Sequence, residues 1–154
     1  MSLPFLIADA QRYIENYFAR LGGVTRFIDT TLAAARRQGY VSTLLQRRRY
    51  LPELSSPDDN LRAFAERTAI NTPVQGSAAD LIKLAMVKLE ARLMRECLPA
   101  AMILQVHDEL VFEADAGAAA DVSAVIRHEM ETVMPLVVPL TVDIRSGASW
   151  DAVH

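Results

Sequence analysis

The run Gln105-Val106-His107-Asp108-Glu109-Leu110-Val111-Phe112-Glu113 constrains this chain more than any other stretch. Apolar β-formers stand on both sides of a compact His-Asp-Glu triplet, which predicts two strands joined by a tight turn with acids at its tip. Two-residue hairpin turns favour Asn-Gly, Asp-Gly or a Gly where φ is positive. His-Asp is poor turn chemistry, and a local rule broken between two good strands points to a functional site. A carboxylate fixed on a stiff hairpin is well placed to hold a divalent cation.

The chain has 154 residues, enough for one domain with a real core, and 51% of them are apolar, which excludes a disordered polar segment. No stretch approaches the roughly 20 apolar residues of a membrane span. A charged n-region followed by a cleavage site is not seen, so no secretory signal is expected. The single Cys97 rules out a disulfide framework, fits a reducing compartment, and is expected as a small buried hydrophobe. The net charge of −3 hides an asymmetry: residues 1–74 carry 10 Arg against 7 acids, and residues 75–154 carry 6 Lys and Arg against 12 acids. The basic residues of the first part are all Arg, whose planar fork suits phosphate.

Apolar spacing predicts a helix over 7–21 (Tyr13, Ile14, Tyr17, Phe18 and Leu21 on one stripe, Gly22-Gly23 after it) and a second over 24–38, closed by Gly39. A short β-hairpin follows, Tyr40–Leu44 with Arg47–Leu51 around Leu45-Gln46. Ser56-Pro57-Asp58-Asp59 reads as a helix start with Ser56 at N-cap, the helix ending near Ile70. Thr72-Pro73-Val74-Gln75 reads as a second start, of a helix to Cys97 that buries Ala78, Leu81, Ile82, Ala85, Leu89 and Leu93. The acidic hairpin spans 102–114, a helix 117–134, and alternation over Leu140–Arg145 predicts a half-buried strand. The fold expected is α+β: antiparallel strands including the His-Asp-Glu hairpin, packed on helices, preceded by a helical hairpin and a short β-hairpin.

Several long motifs now stand in collinear order: Gly39-Tyr40-Val41-Ser42-Thr43-Leu44, Arg47-Arg48-Arg49-Tyr50, the run from Ala65 through Arg67, Asn71 and Gln75 to Asp80, Gln105 to Glu109, and Ser146-Gly147-Ala148-Ser149-Trp150. Over about residues 4–154 the chain resembles the C-terminal end of bacterial family A DNA polymerases, the DNA polymerase I type. The resemblance implies that residues 4–57 are the C-terminal part of a fingers subdomain and 58–154 the C-terminal part of a palm. It implies template-directed addition of deoxynucleotides to a primer 3′-hydroxyl, with Mg²⁺, deoxynucleoside triphosphates and primer–template DNA as cofactor and partners, in the bacterial cytoplasm at the nucleoid. One departure is Gln46, where the family usually has Gly before the Arg run.

The resemblance implies that Asp108 is a ligand of catalytic Mg²⁺ in a site with two metals about 4 Å apart, and that Glu109 is a ligand or a supporting group. His107 is implied to contact the primer end; a packed turn histidine is the alternative. Arg67, Asn71 and Gln75 recur every four residues, but Pro73 is expected to break the helical phase through them. They are implied to touch the minor groove and backbone near the primer terminus, against rival roles as a salt bridge, a turn cap and a capping box. Arg47, Arg48 and Arg49 either meet template phosphates or protect a solvated sheet edge. Trp150, Tyr13 and Tyr17 are expected in packing. The family's second metal-binding acid and its nucleotide-binding helix have no counterpart in this sequence, so the segment alone is expected not to polymerise. Three other readings stand beside this one: a non-catalytic nucleic-acid-binding module keeping the primer-end contacts, a phosphohydrolase built on His107-Asp108, and self-association through exposed apolar surface.

Overall fold

Two helices open the chain, α1 (Leu3–Arg20) and α2 (Gly22–Gln38), with Leu21 alone between them. The computed structural model describes residues 3–153, with side chains from residue 9 onward. The α1 stripe does not pack as expected: Tyr13, Ile14, Tyr17 and Leu21 are exposed, and Tyr17 stands edge-on to Phe18 at 5.4 Å. Trp150 is exposed as well. Gly39 closes α2 at φ +79°, a conformation that favours glycine, and its N–H reaches the Ala35 carbonyl at 2.8 Å.

β1 (Tyr40–Ser42) and β2 (Arg48–Tyr50) pair antiparallel, with Tyr40 opposite Tyr50 and Ser42 opposite Arg48. Both strands are shorter than the alternation suggests, because the link folds on itself: Gln46 N–H donates to the Thr43 carbonyl at 2.9 Å, and Thr43 N–H to the Arg47 carbonyl at 3.0 Å. Gln46 adopts φ +63°. That is why glycine suits this position.

α3 (Asp59–Arg95) is a single helix of 37 residues, not the two expected. Its cap is Asp58 rather than Ser56: the Asp58 carboxylate accepts from the N–H groups of Asn60 (2.8 Å) and Leu61 (3.3 Å), while the Ser56 hydroxyl accepts from Asp58 N–H. Asp58→Ala should therefore cost about 1 kcal/mol in urea unfolding, the usual worth of such a cap. Pro73 lies inside the helix and removes one rung of the hydrogen-bond ladder. Buried residues anchor the flanks on either side, Ala65 and Ala69 before it and Ala85, Leu89 and Leu93 after it. Thr72 is helical, and its hydroxyl bonds back to the Thr68 carbonyl at 2.7 Å instead of capping forward. Tertiary burial thus overrides a local breaker. Ala78, expected inside, is exposed.

The chain divides into two compact units, the first ending at Gly76 and the second beginning at Ser77. Packing therefore groups 58–76 with the first unit. That unit's core joins Ala35, Val41, Leu51, Leu54, Ala65 and Ala69, with Arg36 paired to Glu66 at 2.6 Å on its surface.

In the second unit α3 ends at Arg95 and turns through Cys97 at φ +49°. Leu98 N–H bonds to the Leu93 carbonyl and Cys97 N–H to the Met94 carbonyl, the paired bonds of a Schellman end. Cys97 is exposed there, against the expectation of burial: it stands where helices place glycine, outside the last turn. β3 (Ala100–Val106) and β4 (Glu109–Ala114) pair antiparallel, with a bulge between Met102 and Leu104. Met102, Leu110 and Phe112 pack onto Leu89, Val122 and Ile126, the last two from α4 (Ala119–Glu131). α4 is shorter than the expected 117–134, since 116–118 form a 3-10 turn and the chain leaves the helix at Thr132.

Arg92 ties α3 to Glu129 of α4 at 2.7 Å and also holds Glu96. Burial works to raise the Glu96 carboxyl, and the hydrogen bonds from Arg95 and Arg92 outweigh it, leaving it below its ordinary value. Its stabilising effect is therefore full above the ordinary carboxylate range and fades as pH falls through the lowered value.

The expected strand over 140–145 does not form. The alternation is real: Leu140, Val142 and Ile144 are half-buried, and their neighbours are exposed. Its backbone is tied by side chains of α4 rather than by a ladder: Val142 N–H donates to Glu131 at 3.0 Å, and Arg127 donates to the Val142 carbonyl.

Candidate functional site

His107 and Asp108 are the two residues between the paired strand ends Val106 and Glu109. The structure gives the poor turn chemistry a concrete form. His107 adopts φ +53°, the left-handed region glycine enters freely and other residues enter at a cost of roughly 1–2 kcal/mol. Gln105 donates its side-chain amide to the His107 carbonyl at 2.9 Å and so helps hold the turn. His107, Asp108 and Glu109 are all exposed. The two carboxylates are adjacent, with Glu109 already the first residue of β4. His107→Gly should stabilise the second unit by about 1 kcal/mol, read as a rise in the urea midpoint.

Arg67, Asn71 and Gln75 lie in the first unit on uninterrupted helix. The expected break at Pro73 is absent, so residues four apart advance only slightly around the axis and the three share one face. All three are exposed. With Thr72 inside the helix, neither a capping box for Gln75 nor a turn cap for Asn71 applies. The face presents a guanidinium and two amides to solvent.

The three arginines have different surroundings. Arg47 donates to the Gly76 carbonyl at 3.1 Å and so fastens the β1–β2 link to α3. That approach is close: a Cβ on Gly76 would stand 2.7 Å from the Thr43 methyl. Arg48 lies over the Tyr40 ring at 4.6 Å, and Arg49 is exposed. Tyr40 and Tyr50 stand inside the motifs of the resemblance, with no site role expected of them from the sequence. Their signal there is their position across the ribbon, one on each strand and opposite in register.

Comparison with known proteins decides the ancestry. The model of DNA polymerase family A matches residues 2–152. The chain belongs to this family. DNA polymerase I of Geobacillus stearothermophilus is 49% identical over 142 residues, covering 92% of this chain and 16% of the relative. That of Mycobacterium leprae is 47% identical over 144 residues, 94% of this chain and 16% of the relative. Among solved structures, the POL domain of Pol1 from M. smegmatis in complex with DNA primer-template and dNTP superposes with a TM-score of 0.91 at 44% identity, over 95% of this chain and 26% of that one. This family A chain thus spans about 16% of the length of the curated relatives it matches. Among the described residues its α+β architecture, with four α-helices and two small antiparallel sheets, matches that POL domain.

Proposed function

We propose that this chain is the part of a DNA-directed DNA polymerase that grips the primer end of a primer–template duplex and offers Asp108 to catalytic Mg²⁺. The parent enzyme adds deoxynucleotides to a primer 3′-hydroxyl in replication and repair, in the bacterial cytoplasm. The observation that carries this reading is the family match over residues 2–152. The DNA and nucleotide in the M. smegmatis complex support the partners. On the same reading residues 4–57 close the fingers and 58–154 complete the palm.

The exposed face of Arg67, Asn71 and Gln75 supports a minor-groove role. Amide and guanidinium donors match acceptors that all base pairs share there, giving contact with little sequence preference. A copying enzyme needs that at a freshly paired terminus. His107 supplies a donor toward the primer end, and Arg47, Arg48 and Arg49 supply charge toward template phosphate.

Carboxylate oxygen is the donor a hard divalent cation takes, and exposed Asp108 and Glu109 provide it side by side. Among the described residues no group of three or more His, Cys, Asp or Glu is placed to hold a metal. The donors fit Mg²⁺ in kind and form part of a site. Bound Mg²⁺ supplies the Lewis acidity that favours an ionised primer hydroxyl and stabilises charge on the triphosphate. With two adjacent carboxylates as its donor set, the 154-residue chain alone extends no primer. Val87, Met94, Ile103 and Leu104 are exposed and line one groove of about 700 Å³ in the second unit, which supports self-association.

The test is binding of residues 1–154 to a fluorescent primer–template duplex. Arg67→Ala/Gln75→Ala should weaken binding by on the order of 10–100-fold. Asp108→Ala should leave it within two-fold, with or without Mg²⁺. Binding that the double variant leaves intact, or no binding at all, removes the primer-end grip.

A further inference from the structure

The β1–β2 ribbon carries aromatic surface beside its charge. Val41 is buried, so its neighbours Tyr40 and Ser42 point to the other face, and the register places Tyr50 and Arg48 there with them. The two tyrosine rings stand 5.7 Å apart, tilted by 59°. The Arg48 guanidinium lies 4.6 Å from the Tyr40 centroid. Tyr50 remains 67% exposed. A cross-strand aromatic pair steadies a short ribbon, and beyond that role Tyr50 leaves an open ring on the same face as Arg48.

Aromatic faces beside cations are what hold single-stranded nucleic acid: the base stacks on the ring, and the phosphate meets the cation. A duplex keeps its base faces inside its own stack, so this surface serves unpaired nucleotides. We propose that Tyr50, supported by Tyr40 and Arg48, is a stacking site for an unpaired nucleotide of the template strand. The proposal deepens the polymerase reading and rests on it for the identity of the strand. Charge agrees, since the residues up to Gly76 carry 10 Arg against 7 acids.

The experiment places 2-aminopurine in the 5′ template overhang of a primer–template and titrates it with residues 1–154. Stacking should quench the probe, and the overhang should bind about ten-fold more tightly than a blunt duplex of equal length, the scale of one base–aromatic stack. Tyr50→Ala should remove both effects, and Tyr50→Phe, which keeps the ring, should retain both; circular dichroism checks that each variant is folded. Equal affinity for overhang and blunt DNA, an unchanged quench in Tyr50→Ala, or a loss in Tyr50→Phe equal to that in Tyr50→Ala overturns the proposal. Quenching of a free single strand by a chain that ignores the duplex supports the stacking site and removes the primer-end grip. Duplex binding without any overhang preference does the reverse, and no binding to either DNA overturns the site.

Discussion

Asp108→Asn should lower kcat by on the order of a thousand-fold when this segment replaces its counterpart in a complete DNA polymerase I. The substitution keeps the size and shape of the side chain and removes its charge. A metal that polarises phosphoryl oxygen contributes several kcal/mol of transition-state stabilisation. At about 1.36 kcal/mol per decade, losing most of that gives the stated factor. The exchange is practical because the segment matches the M. smegmatis POL domain with a TM-score of 0.91 at 44% identity. Glu109→Gln should cost less, since Glu109 already belongs to strand β4 while Asp108 stands in the turn itself. Single-turnover primer extension reads both. A chimera bearing Asp108→Asn that stays within ten-fold of the unsubstituted chimera would remove Asp108 from the metal site.

Leu89→Ala should destabilise the second unit by about 2–5 kcal/mol, the range for emptying a buried leucine site. Leu89 is fully buried between α3 and α4, in contact with the core that Val122 and Ile126 complete. The unit spans residues 77–154, small enough that such a loss is a large part of its stability. Val87→Ala, two residues away and 69% exposed, should stay within about 0.5 kcal/mol. Urea melts followed by far-UV circular dichroism separate the two. Equal shifts would mean that Leu89 does not anchor a cooperative core.

The α+β class and the helices were legible because apolar spacing switches cleanly between the helical and strand periods along the chain. What misled was local chemistry that tertiary packing overrides. Pro73 read as a boundary, yet α3 passes through it because Ala69 on one side and Ala85 on the other are buried. Ser56 read as the cap, yet the Asp58 carboxylate reaches the free N–H groups and takes that place. Leu140–Arg145 alternates as a strand should, but side chains of α4 satisfy Val142 where a strand neighbour would. Cys97 read as buried because composition cannot see a left-handed residue after a helix. At the candidate site, the exposure of His107, Asp108 and Glu109 followed from their polarity. The common face of Arg67, Asn71 and Gln75 did not, since it depends on the helix continuing. The pairing of Tyr40 with Tyr50 was not legible, because register across a ribbon is invisible until both strands are placed.

The backbone at His107 has a consequence for anyone improving this protein in the laboratory. A library selected only for heat resistance or soluble yield should drift toward glycine at 107, because φ +53° penalises every side chain there. The same library selected for DNA copying in a chimera should hold histidine. The gap between the two enrichment profiles would measure, at one codon, how far this turn is kept for its task rather than for its own durability. It also warns that consensus-free stabilisation of such a segment would begin by erasing the residue proposed to meet the primer end.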